Sequence, residues 1–107
     1  MRTNLLTKGL PPPVDEALHK LGVNLKTARV RRGLTMQEVA EKIGVSRQLV
    51  ADAERGKPTT GVAVYVAVLW ALGLLDQLAD VADPGQDKVG LMGALLQGRQ
   101  RGRRSDE

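Results

Sequence analysis

The sequence predicts an all-α protein, and three features carry that prediction. Thr35-Met36-Gln37-Glu38 has the S/T-x-x-E form in which a threonine and a glutamate cap each other at a helix start. A lone glycine, Gly44, separates two short runs with sparse apolar residues, Val39 and Ile43 before it and Val45, Val50 and Ala53 after it. The longest apolar run, Gly61–Leu75 (GVAVYVAVLWALGLL), is too long for one strand and places Val62, Val66 and Leu69 at i, i+4 and i+7. That run also falls short of the roughly 20 residues that cross a bilayer, so it is expected to be a buried helix with no membrane partner.

In chain order, residues 1–13 end in Pro11-Pro12-Pro13 and are expected to form a flexible or extended arm, because proline cannot enter a helix interior. Val14–Gly22 (VDEALHKLG) is expected to be a short helix with Val14, Leu18 and Leu21 on one side, closed by Gly22. Asn24 is a good N-cap for LKTARVRRG, which Gly33 ends. Thr35 opens the next helix, which stops at Gly44. Ser46 caps the one after, which ends at Gly56 with Pro58 beyond it. Thr59 and Thr60 are expected to cap a helix over Gly61 to Leu72, followed by a last one at Leu74–Val81. Asp83-Pro84-Gly85 breaks the chain; 87–97, with its glycines, is expected to be a weak helix or extended, and GRQRGRRSDE to be disordered. The expected division is an arm at 1–13, a helical domain at 14–82 and a C-terminal interaction segment with a basic tail at 83–107.

The chain has 107 residues, 42% hydrophobic but only 2% aromatic, with Tyr65 and Trp70 the aromatic residues. Its core must therefore be aliphatic, with both aromatics expected inside it, and the thin margin of so small a core favours pairing with a second copy. There is no cysteine, hence no disulfide framework and no thiolate metal site, which fits a reducing cytoplasm. MRTNLLTKGLPPP lacks the sustained apolar core of a signal peptide.

Net charge is +4, and its distribution is uneven. From Lys20 to Lys57 nine Lys/Arg face four Asp/Glu; from Pro58 to Gly98 one Lys faces four Asp; the last nine residues hold four Arg and two acids. A basic first half points to a polyanion as partner, although a solvated face explains charge alone equally well.

The spacing in Thr35–Lys57 is what a helix-turn-helix needs. Ala40 is small enough for two helices to approach, and Gly44 tolerates the positive φ of a tight turn. The start of the second helix then juts outward, carrying Arg47, Gln48, Ala51 and Asp52 toward a DNA major groove. The same residues, LTMQEVAEKIGVSRQLVADAERGK, resemble the XRE (phage repressor and Cro-like) family over roughly Asn24–Leu75. The resemblance implies a five-helix, lambda-repressor-like fold, a dimer on operator DNA and, in most members, repression of transcription. Matched residue by residue, it implies base reading by Arg47, Gln48 and Asp52, although Asp52 departs from the usual neutral or basic residue and would help facing a cytosine amino group but repel facing phosphate. It implies phosphate contacts by Gln37, Ser46, Lys57 and Thr59, with Arg32 a weaker candidate. Arginine suits guanine and glutamine suits adenine. The alternative for Gln37, Arg47 and Gln48 is that they are simply solvated.

ALGLLDQLADVADPGQDKVGL resembles the C-terminal part of HipB-type antitoxins, which implies a HipA-type kinase toxin as partner. The glycines of the tail (Gly93, Gly98, Gly102) depart from that pattern. Leu74, Leu75, Leu78 and Val81 give a short seam for self-association on a palindromic operator. His19, the only histidine, reads as a surface residue, and Asp76, Asp80, Asp83 and Asp87 match no calcium loop. Without a cysteine nucleophile, triad partners for His19 or a phosphate-binding glycine loop, neither catalysis nor a cofactor is expected. A regulator without a toxin, and an interaction module that has lost DNA binding, are the alternatives.

Overall fold

The computed structural model describes residues 9–101, and every regular element among them is helical. They comprise α1 (Pro12–Arg31), α2 (Met36–Ile43), α3 (Arg47–Glu54), α4 (Val62–Ala71), 3₁₀ turns at Leu75–Asp80 and Pro84–Gln86, and α5 (Lys88–Arg101). The chain divides between Asp76 and Gln77 into two compact units. No helix among the described residues is long and apolar enough to cross a membrane.

α1 corrects the expected pair of helices. It runs unbroken through Gly22 and Asn24, and it begins inside the expected arm, with Pro12 and Pro13 in its first turn. Proline is tolerated there because a first-turn N–H has no partner within the helix; Pro11 O instead accepts from Val14 N and Asp15 N at 2.9 and 3.1 Å. Gly22 is buried for a different reason than chain termination. A Cβ at this position would lie 2.5 Å from Glu54 O and 2.7 Å from Gly56 N. Gly56, at φ 67, answers it: a Cβ there would lie 2.5 Å from Leu18 O. The two glycines let the backbone of α1 rest directly on the end of α3.

The core of the first unit is aliphatic with one aromatic: Leu25 from α1, Val39 and Ala40 from α2, Val50 and Ala53 from α3, and Tyr65, Val68, Leu69, Ala71 and Leu72 from α4 and its end. Tyr65, Val68, Leu69 and Leu72 stand at i, i+3, i+4 and i+7, and this is the stripe that α4 buries. The expected stripe through Val62 and Val66 is therefore the wrong one: Val62 is 76% exposed. Trp70, expected in the core, is 51% exposed for the same reason, since it continues the outward row. Gly61 rather than Thr59 or Thr60 occupies the N-cap of α4, with no side-chain cap.

The second unit holds a short 3₁₀ turn and the 14-residue α5. The segment expected as a helix at Leu74–Val81 is a 3₁₀ turn over Leu75–Asp80 that straddles the division. The Asp83 carboxylate accepts from Gly85 N at 3.2 Å to start the next turn. Asp87 accepts from Gly90 N at 2.9 Å at the head of α5, which is helical despite its glycines. Of the tail expected to be disordered, 102–107 lies outside the described residues.

Candidate nucleic-acid interface

The corner between α2 and α3 is fixed by short-range chemistry. Thr35 Oγ1 accepts from Glu38 N at 3.0 Å while Thr35 N donates to Glu38 Oε1 at 2.8 Å, completing the capping box. Gly44 ends α2 in the left-handed region at φ 75, and Ala40 O accepts from both Gly44 N and Val45 N. Ser46 is extended and its hydroxyl accepts from Leu49 N at 3.2 Å, so α3 starts one residue later. Val39, Ala40, Val50 and Ala53 are all 1% exposed or less, which locks the facing sides of the two helices together. With Val50 and Ala53 turned inward, helical geometry turns Arg47 and Gln48 outward, and both are exposed.

Gln48 Nε2 donates to Asp52 Oδ1 at 2.9 Å, one turn along α3. Asp52 departs from its expected place in the groove. It is buried, and the same carboxylate accepts from Arg55 at 2.6 Å and lies 3.8 Å from Lys57 Nζ. The cause lies in the helix itself, because Gln48 and Arg55 flank Asp52 at i−4 and i+3. That spacing was visible in the sequence.

The remaining candidates are also exposed. Gln37 Nε2 donates to Glu41 at 3.1 Å, Arg32 Nη1 donates to Ala28 O at 2.8 Å, and Ser46 keeps its hydroxyl proton for a further acceptor. Lys57 and Thr59 sit on the loop after α3. Lys57 N donates to Asp52 O, while Lys57 O accepts from Thr60 N and from the Tyr65 hydroxyl, each at 3.0 Å. This loop is thus tied at three points. Burial raises the Tyr65 phenol above its ordinary value, and the nearby Asp52 carboxylate adds to the shift.

Arg29 was read only as part of the basic charge, yet it supports this whole region. Its Nε and Nη2 donate to the two Glu54 carboxylate oxygens at 2.6 and 3.0 Å, and its Nη1 donates to Leu34 O at 2.8 Å. Both side chains are buried. The bond to Glu54 raises the guanidinium above its ordinary value, outweighing desolvation. The sequence signal was that Arg29 follows Leu25 by one turn and so shares its inward face. Of the expected seam, Leu74 packs on the core while Leu75, Leu78 and Val81 are exposed.

Chemically, the exposed candidates offer a guanidinium and an amide from the first turn of a fixed helix, together with other cations and hydroxyls. That set can hydrogen-bond base edges and phosphates. Among the described residues no group of three His, Cys, Asp or Glu could hold a metal ion. The model of the helix-turn-helix domain family matches residues 20–82, more than half of the chain. Comparison with curated proteins and with solved structures gives no match.

Proposed function

The chain belongs to the helix-turn-helix domain family, which points to a DNA-binding transcription regulator, and from that premise we propose a sequence-specific repressor that reads its operator with Arg47 and Gln48. The observation that carries this is the outward pair at the start of α3, with Gln48 steadied by Asp52. One amide N–H goes to the carboxylate, and the other N–H and Oε1 remain for the bidentate pairing that adenine accepts. Arg47 is free to pair with guanine N7 and O6. Gln37, Ser46, Lys57, Thr59 and Arg32 supply phosphate contacts around them, while Asp52 acts on the groove through Gln48 and Arg55.

The repressor acts in the cytoplasm as a homodimer, so that two α3 helices reach half-sites about 34–36 Å apart on a palindrome. Of the seam expected at Leu74, Leu75, Leu78 and Val81, the exposed Leu75 takes part. The likeness of ALGLLDQLADVADPGQDKVGL to HipB-type antitoxins extends the proposal to a toxin–antitoxin pair with a HipA-type kinase. The exposed Val89, Leu91, Met92, Leu95 and Leu96 of α5 favour a protein partner for the second unit.

Footprinting on duplex upstream of the chain's own coding sequence tests the DNA reading: a symmetric protected element is expected, and no protection even at low salt would leave an interaction module. A kinase-like neighbouring reading frame whose toxicity the chain neutralises on co-expression would support the antitoxin role. A neighbour without such activity would leave a stand-alone repressor.

A further inference from the structure

α4 carries no charged residue from Val62 to Ala71, yet only one of its sides lies in the core. On the other side Val62, Val66 and Trp70 follow one another at four-residue spacing, with Ala63 and Ala67 beside them. Side chains four apart form a ridge along a helix, and a row of alanines beside that ridge leaves a trough of the same pitch. The trough opens into a cleft of about 500 Å³ that Ile43 and Leu75 help to line, with Lys42 the one charged residue lining it among the described residues.

We propose that a second copy of this chain docks on this face, α4 against α4 across a two-fold axis. An isologous contact requires one surface to act as both knob and hole. A ridge lying beside a trough of equal pitch does so. Charge points to the same occupant. The Lys42 ammonium lies 5.4 Å from the centre of the Trp70 ring and 3.4 Å from Ala71 O, so it is already partnered within its own chain. Nothing in the cleft requires a carboxylate from whatever covers it, and an uncharged, apolar helix face is what α4 itself presents. The proposal rests on the dimeric repressor reading and specifies its surface; it uses Leu75 and needs neither Leu78 nor Val81.

Trp70 is the only tryptophan in the chain, so its fluorescence reports whether this face is covered. The full chain without DNA is followed by sedimentation and by emission over a concentration series. Dimer formation and a blue shift of Trp70 should share one midpoint. Val62→Glu, at a position that does not touch the core, should keep the helical circular dichroism of the folded chain while weakening the dimer by at least about tenfold. Ala63→Arg, which fills the trough at another exposed position, should do the same. A dimer whose Trp70 emission never moves would overturn the proposal and leave the dimer reading intact, as would a Val62→Glu dimer as tight as the wild type. A blue shift on adding a leucine- and glutamate-rich peptide, with none on raising concentration, would also overturn it. A chain monomeric throughout would remove the dimer reading too, whereas footprinting of the same sample still judges DNA binding separately.

Discussion

On the proposed reading Gln48 meets a base edge and Lys57 a phosphate, and substitution should separate the two. A lysine at a phosphate contributes only a point charge, which carries no sequence information. Lys57→Ala should weaken all duplexes alike and lower the slope of log affinity against log salt by about one unit, measured by fluorescence anisotropy. Asp52→Ala should reduce discrimination at the base pair that Gln48 reads, because the amide loses the acceptor that orients it; the preferred base at Arg47 should be unchanged. Arg29 and Glu54 belong to stability alone. Arg29→Met strands a buried carboxylate and should cost about 3–5 kcal/mol in urea unfolding, whereas Arg29→Met with Glu54→Leu should recover most of the loss. Arg47 and Gln48 were readable as outward residues from the Ser46 cap and the inward Val50. The role of Arg29 was not, since its partner lies 25 residues away along the chain and no local pattern joins them.

Helix boundaries divide along the same line of local against distant causes. The capping box, the Gly44 turn and the Ser46 cap are decided within a few residues, and the structure has each as the sequence foretold. Gly22 was taken for a stop because glycine marks both helix ends and close approaches, and only the distant end of α3 distinguishes them. Gly22→Ala should therefore destabilise by about 1–3 kcal/mol or more from overpacking, against a helix-propensity gain of about 1 kcal/mol; thermal melting reads the balance. α4 misled for a related reason, being apolar on every side, so its period could not say which side faces inward. Tyr65 ties α4 to the Lys57 loop and brings a pH dependence. Its folded phenol holds its proton more tightly than the unfolded one. Its stabilisation is therefore complete below about pH 10 and is lost as pH rises through the higher folded value. Melting curves should fall across that alkaline window, and Tyr65→Phe should remove this part of the fall while costing about 0.5–1.5 kcal/mol below it, where the phenol still donates to Lys57 O.

For the molecule as a whole, a basic first half and an acidic middle follow directly from the sequence. The division at Asp76/Gln77 and the helicity of α5 depend on how short segments collapse, which composition does not encode. What the fold delivers to DNA is one small, rigid projection, held by two caps, a left-handed glycine and a buried ion pair. Selection of bound sequences from random duplexes, followed by competition at fixed salt, puts that projection to its hardest trial. The wild type should prefer its selected site by roughly a thousandfold or more over random duplex. Gln48→Ala and Arg47→Ala should each lose about 1–3 kcal/mol per half-site on the selected duplex and almost nothing on the random one. Equal losses on both, or a wild type that selects no sequence at all, would contradict base reading by the Arg47–Gln48 pair.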